Sequence, residues 1–250
     1  MARKTRSPSA RKVSTSESTS NASLRTTNQG DLFTAKPLRI GDEERRCRRE
    51  GTWPVVGTDE VGRGPLAGPV VAAAVLLADG ARLPGLDDSK KLSAAQREAL
   101  VPEIERQAVA FSVVECSVEE ITERNILGAS MWAMHQAVSH VCAAARDQGV
   151  PPALVLVDGN RPIPGLEGPP QRAVVKGDSR SRAIAAASVL AKVHRDRLMV
   201  AMAAEFPGYG FAGHKGYPTP KHLAALRALG PCVHHRPTFA PVAALLKARD

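Results

Sequence analysis

Two short apolar runs separated by a glycine- and proline-rich turn open the patterned part of the chain. Val55–Glu60 and Val70–Leu77 read as strands on either side of that turn. Ser93 predicts a helix running to about Arg106, with Ser at the N-cap and Gln96 at the capping-box position. Phe111–Val118 alternates like a third strand, and Ser117-Val118-Glu119-Glu120 marks another helix start. Residues 126–147 form a long helix candidate, ended by Gly149 and the Pro151-Pro152 pair. Leu154–Val157 is a continuous apolar run, read as a strand buried on both faces that delivers Asp158 at its C-terminal end. Arg172–Lys176 is a fifth strand candidate, after which Gly177-Asp178-Ser179-Arg180-Ser181 leads into an Ala-rich helix from about 182 to 204. The tail beyond Phe206 holds loops rich in Gly, Pro and His and a helix near 220–229. The order β-β-α-β-α-β-β-α predicts an α/β sheet with helices packed on it, and no internal repeat interrupts it.

Ordered structure is expected to begin near Trp53. Residues 1 to about 50 are dominated by Ser, Thr, Arg and Lys and are expected to be disordered, because they bury too little apolar surface to offset the entropy of ordering. The 250 residues carry 34 Lys/Arg against 25 Asp/Glu, a formal charge of +9. Residues 1–50 hold 12 against 6, so +6 of that excess lies in the first fifth. A basic excess favours polyanionic partners, but the remaining 200 residues, with 22 against 19, are only mildly basic. Cys47, Cys116, Cys142 and Cys232 are widely spaced, which indicates neither a disulfide framework nor a zinc site and suits a reduced, cytoplasmic setting. No apolar stretch is long enough for a transmembrane helix, and the N-terminus lacks the apolar core of a secretory signal. Its Arg/Ser/Thr content is that of some transit peptides, but residues 1–30 contain one Leu and no Ile, Phe or Trp to form an apolar face.

Three acidic positions change the picture from fold to chemistry. Asp59-Glu60 ends the first apolar run and leads straight into Gly62-Arg63-Gly64; Asp158 ends another; Asp178 precedes the Ala-rich helix. Carboxylates suit hard divalent cations, and glycines without a Cβ let another molecule come close. Carboxylates at the ends of neighbouring strands can converge on a shared pair of ions, the arrangement that supports phosphodiester hydrolysis. Consecutive strand residues face opposite ways, so Asp59 and Glu60 are expected to share a site through a bend near Gly62. Each position also has a plainer reading. Asp59-Glu60 suits a charged hairpin turn, Asp158-Gly159-Asn160 a turn, and Asp178 a helix cap.

Six stretches in order carry a resemblance. They are Asp59-Glu60-Val61-Gly62-Arg63-Gly64-Pro65-Leu66-Ala67-Gly68-Pro69-Val70, Leu86-Asp87-Asp88-Ser89-Lys90-Lys91-Leu92, Val157-Asp158-Gly159-Asn160, Lys176-Gly177-Asp178 with Ile184–Asp196, His214-Lys215-Gly216-Tyr217-Pro218-Thr219, and His235-Arg236-Pro237-Thr238-Phe239. Over about 54 to 243 the chain resembles the type 2 ribonuclease H family, ribonuclease HII. The resemblance implies a ribonuclease H-like mixed central sheet flanked by helices, with a catalytic domain over 51–250 and a C-terminal helical segment at about 206–250 closing on the substrate. It implies an endonuclease that hydrolyses RNA in RNA–DNA hybrids and cuts 5′ of ribonucleotides embedded in duplex DNA. By position, Asp59, Glu60, Asp158 and Asp178 align with the family's four active-site acids, and the first three with its ligands for manganese or magnesium. Gly62, Arg63 and Gly64 match the element that reads the ribose 2′-hydroxyl, and Tyr217 the tyrosine that stacks on the neighbouring deoxyribose. Lys192, Arg195 and Lys215 are candidate phosphate contacts. Arg180 and Arg182 add charge beside Asp178, and Thr238 stands where the family commonly has Ser. A monomer binding nucleic acid and no membrane is expected. The rivals are a catalytically silent nucleic-acid-binding protein on the same fold, and a metal-dependent phosphatase or DNA nuclease built on the same acids.

Overall fold

The computed structural model describes residues 39–248, and the expectation for residues 1–38 lies outside them. Five strands form one mixed sheet in the order β3-β2-β1-β4-β5. They are β1 (Val55–Val61), β2 (Val70–Leu77), β3 (Ala108–Cys116), β4 (Leu154–Asp158) and β5 (Gln171–Val174). The β3-β2-β1 half is antiparallel, whereas β4 and β5 run parallel to β1. The helices are α1 (Asp42–Arg49), α2 (Ala94–Gln107), α3 (Val118–Asp147), α4 (Arg182–Glu205), α5 (Phe211–His214), α6 (Pro220–Leu229) and α7 (Ala240–Lys247).

Side-chain alternation sends the two faces of β1 to different helices. Val56, with Val155 and Val157 of β4, packs against the α3 residues Ala133, Ala137 and Val141. Val55, Leu154 and Leu156 meet Ile184 of α4 on the other face, and β2 adds Val71, Ala73 and Val75 beside Ala185–Ala187 and Val189. Alanines let α4 lie close to the sheet, and α2 covers it from outside through Leu100, Val101 and Ile104. Capping boxes start both predicted helices: Ser93 with Gln96 for α2, and Ser117 with Glu120 for α3. Several boundaries shift, and β5 runs Gln171–Val174, stopping before Val175 and Lys176. β3 begins at Ala108 and ends at Cys116, and α3 begins at Val118 with one non-helical residue, Asn125 (φ 58°, ψ 168°).

The expected start near Trp53 is corrected by α1. Its sequence, Asp42-Glu43-Glu44-Arg45-Arg46-Cys47-Arg48-Arg49, buries Glu43, Glu44 and Cys47. It docks by charge. Glu44 Oε1 accepts from Ser181 Oγ at 2.6 Å and from the Ala183 N–H at 3.1 Å, at the N-terminus of α4. Glu43 pairs with Arg180 and sits 3.9 Å from Arg172. A carboxylate at a helix N-terminus gains from the unpaired N–H groups there.

Candidate active site

Thr58 of β1 lies level with Val157 of β4, so Asp59 and Asp158 fall on the next rungs of two strands about 4.8 Å apart. Alternation puts both on the α4 face, with Leu156 and Ile184 beneath. Asp59 is buried; Ser188 of α4 hydrogen-bonds its carboxyl, and Oδ1 accepts the Glu60 N–H at 2.8 Å. Ser188 Oγ lies 2.8 Å from Ser89 Oγ, so a two-hydroxyl chain backs the carboxylate. Burial, then the Asp158 and Glu60 charges, push the Asp59 carboxyl well above the usual carboxylate range. Asp158 is raised as well, chiefly by burial, although its Oδ1 accepts the Gly177 N–H at 2.7 Å.

Asp178 sits in the 3₁₀ turn Gly177–Ser179, which the Gly177–Asp158 hydrogen bond ties to the end of β4. It is buried and does not cap α4; Ser181 does, accepting the Ile184 N–H. Lys90 Nζ lies 3.1 Å from Asp178 Oδ2, bringing the Asp88-Ser89-Lys90 loop over the acids. Arg180 is turned away to Glu43, and Arg182 reaches toward the Ala81 carbonyl at 3.5 Å, so neither adds its charge to Asp178 as expected.

The expected bend between Asp59 and Glu60 is absent. β1 continues to Val61, and Glu60 points to the opposite face, 3.1 Å from Arg63 Nη1. There it lines a cleft of about 300 Å³ with Arg63, Asp158, Gly159 and Asn160, and the acids meet around the end of the sheet rather than on one face. Among the described residues no trio of His, Cys, Asp or Glu side chains is already gathered to hold a metal ion. Glu60 leans to Arg63 and Asp178 to Lys90. The residues fit a hard divalent cation by donor type, all carboxylate oxygen, and by charge, since Asp59 and Asp158 are both held short of easy ionisation.

Gly62 follows Val61 at φ +94°, and a Cβ there would lie 2.3 Å from Arg195 Nε. The space at Gly62 is thus filled by the protein's own guanidinium. Arg195 is fully buried and donates to the carbonyls of Pro69, Ala67 and Lys215, which overturns its reading as a phosphate contact. The signal missing from the sequence is its fit against Gly62. Gly64 is exposed, and a Cβ there would sit 3.5 Å from the Tyr217 ring, so Tyr217, 40% exposed, stands beside the glycine turn. Lys192 pairs with Asp196 at 2.7 Å and Lys215 Nζ with the Ala212 carbonyl at 2.7 Å; both are half-buried.

The Tyr217 loop is held from below by two histidines. His222 Nδ1 lies 2.9 Å from the Tyr217 carbonyl, and the two Nε2 atoms of His222 and His235 are 3.1 Å apart. His235 Nδ1 lies 3.0 Å from the Cys232 N–H nitrogen. One tautomer set satisfies all three contacts with both rings neutral: His235 Nε2–H donates to His222, and His222 Nδ1–H to Tyr217. Burial and the neighbouring imidazole push His235 down to about 4.

Carboxylates brought together at the end of a sheet, if they hold divalent cations, suit the hydrolysis of phosphate esters. The sequence model described as Ribonuclease HII matches residues 56–242. Ribonuclease HII of Verminephrobacter eiseniae is 56% identical over 189 residues, covering 76% of this chain and 86% of that one. The crystal structure of ribonuclease H2 from Pyrococcus horikoshii superposes with a TM-score of 0.65 at 25% identity, covering 78% of this chain and 97% of that one. Bst-RNase HIII, solved in complex with Mn2+, shares the fold with a TM-score of 0.61 at 17% identity, covering 79% and 70%. The chain belongs to the ribonuclease HII family.

Proposed function

We propose that this chain hydrolyses the RNA strand of RNA–DNA hybrids and cuts 5′ of ribonucleotides embedded in duplex DNA, through Asp59, Glu60, Asp158 and Asp178. The observation that carries the assignment is that Asp59 and Asp158 stand level on neighbouring strands, with Asp59 buried and its charge opposed. Asp59 and Asp158, with Glu60 across the sheet end, would hold magnesium or manganese. Such ions, when bound, supply an activated water and charge stabilisation at the leaving oxygen. The chain's part is to fix the acids against Ser188, Gly177 and Lys90 and to hold the scissile phosphate beside them. Water adds to phosphorus, the bond to the 3′ oxygen breaks, and the products are a 3′-hydroxyl and a 5′-phosphate.

Arg63 and Gly64 would meet the ribose 2′-hydroxyl, the group that separates RNA from DNA, with Gly62 buried behind them as the turn's support, and Tyr217 would stack on the next sugar. Lys192 and Lys215 remain candidates for phosphate contact; neither lies in a carboxylate's direct reach within the acid cluster. All four acids come from one chain, which supports a monomer. The four cysteines are unpaired, which supports a reduced, cytoplasmic setting, and no helix among the described residues is long and apolar enough to cross a membrane.

Asp59→Asn tests this directly. It should abolish cleavage across a full titration of magnesium and manganese while the variant still binds the hybrid. Cleavage retained by that variant contradicts the assignment, and binding without cleavage by the unsubstituted protein would favour the silent-binder rival.

A further inference from the structure

Arg236 is fully buried and, among the described residues, has no carboxylate partner. Its guanidinium donates instead to three backbone carbonyls of one loop. Nη2 reaches Gly62 O at 2.7 Å and Gly68 O at 2.7 Å, Nη1 reaches Arg63 O at 3.2 Å, and Nε reaches Gly68 O at 2.9 Å. The backbone of the same segment is paired to the C-terminal region as well, through Arg236 N–Leu66 O at 2.8 Å and Gly68 N–His234 O at 2.9 Å. Phe239 lies under the guanidinium at 5.1 Å. A planar fork of donors suits such a set, because its N–H directions are fixed.

The consequence lies in the peptides whose carbonyls it grips. The Gly62–Arg63 and Arg63–Gly64 bonds are trans. In a trans peptide the C=O and the following N–H point in opposite directions in one plane. Drawing the Gly62 and Arg63 carbonyls inward therefore turns the N–H groups of Arg63 and Gly64 outward. Arg63 and Gly64 are exposed, while Gly62 and Pro65–Pro69 are buried. Two successive N–H groups thus face solvent next to Tyr217 and the acid cluster, fixed by a residue far along the chain.

We infer that Arg236 is a positioning residue for sugar selection: it turns the Arg63 and Gly64 N–H groups toward the ribose 2′-hydroxyl. The inference rests on the reading that this turn meets the ribose. A hydroxyl that accepts from a preset N–H is favoured over a sugar with no oxygen there, and the enzyme loses no entropy in presenting the donor. Lysine at 236 keeps the charge but has one nitrogen, unable to span three carbonyls.

The test compares two duplexes identical except for one embedded ribonucleotide, with divalent metal chelated so that neither is cut. For Arg236→Lys, affinity for the ribonucleotide duplex is expected to fall about tenfold, the worth of roughly one well-made hydrogen bond, with affinity for the all-DNA duplex unchanged. Equal losses on both duplexes, or an unchanged ratio, overturn the inference. Should that variant not fold, amide hydrogen exchange on the unsubstituted protein decides. The Arg63 and Gly64 amides should exchange freely in the free enzyme and slow only with the ribonucleotide duplex. Protection in the free enzyme overturns the role given to Arg236. Free exchange that both duplexes slow alike sinks the ribose reading instead.

Discussion

Asp59 and Asp158 stand on neighbouring parallel strands, each one residue beyond the level pair Thr58 and Val157. Their side chains share the α4 face, and both carboxyls are held above the ordinary range, first by burial. A raised folded pKa contributes stability at low pH that is lost as pH rises through the folded value. The metal-free protein should therefore lose stability as carboxylates ionise above their usual range. A divalent cation replaces the proton. Magnesium should raise the melting temperature at mildly alkaline pH, by about 2–4 °C per kcal/mol for a chain of this size, and much less at mildly acidic pH. Asp59→Asn should melt higher than the metal-free parent and lose that response. Calorimetry across pH with and without magnesium checks both; an Asp59→Asn protein that melts lower contradicts the charge argument.

Lys90 occupies the cationic position nearest Asp178, at 3.1 Å, with its side chain 78% exposed. An exposed ammonium contributes little stability, about 0–1 kcal/mol, so its role is the charge it brings to the acids. Lys90→Met should fold normally and reach half-maximal activity at a magnesium concentration lower by about threefold, within that energy range. A metal titration of cleavage rate reads this out, and a higher magnesium requirement contradicts competition between ammonium and metal.

Glu44 ties α1 to the start of α4, two hydrogen bonds from one carboxylate oxygen. Glu44→Ala should cost about 2 kcal/mol by leaving the Ser181 and Ala183 donors unpaired, and Glu44→Gln should recover part of it. Because Ser181 N also donates to Gly177 O at 2.8 Å, the Asp178 turn should loosen with it. Urea unfolding and kcat measured together test this: unchanged stability would show that α1 is a passenger.

The strands, both capping boxes and the acid positions were legible because they depend on local pattern. Apolar runs with β-branched residues, Ser followed three residues later by Gln or Glu, and Asp at the ends of runs are all readable in one dimension. α1 was not legible, since only Cys47 on it is apolar and buried; it docks through Glu43 and Glu44 to residues more than 130 positions away. The roles of Arg195, expected as a phosphate contact, and of Arg236, matched without a role, were not legible for the same reason: their partners are backbone carbonyls, which no side-chain pattern records. The turn at Gly62 misled in detail. Its glycine was read as room for another molecule, and the structure gives that room to Arg195, leaving Gly64 as the open position. Lys90, Ser89 and Ser188 lay inside or beside matched motifs without an assigned role; Ser188 was the one signal available, a lone hydroxyl in an Ala-rich helix.

The neutral His222–His235 pair gives the Tyr217 loop an acid limit. His235 has an ordinary pKa of 6.5 and sits at about 4 in the fold, with His214 stacked on His222 and Tyr209 and Phe211 packed around. A lowered folded pKa contributes stability above the unfolded value that is lost as pH falls through the folded one. Between 6.5 and about 4 the unsubstituted protein should lose stability more steeply than His235→Gln. KM for a ribonucleotide-containing duplex should rise over the same window, because a protonated His235 Nδ1 no longer accepts the Cys232 N–H and the pair beneath Tyr217 loosens. Parallel melting curves for the two proteins would contradict the role of the pair.

Product mapping on a duplex with a single embedded ribonucleotide bears most directly on the whole account. Metal-dependent hydrolysis beside a sugar-sensing turn predicts one cut on the 5′ side of the ribonucleotide, a 3′-hydroxyl and a 5′-phosphate at the break, and an intact all-DNA control. A 2′,3′-cyclic phosphate would mean that the ribose oxygen itself attacks, and cutting of the all-DNA duplex would mean that the sugar is not read; either result contradicts it.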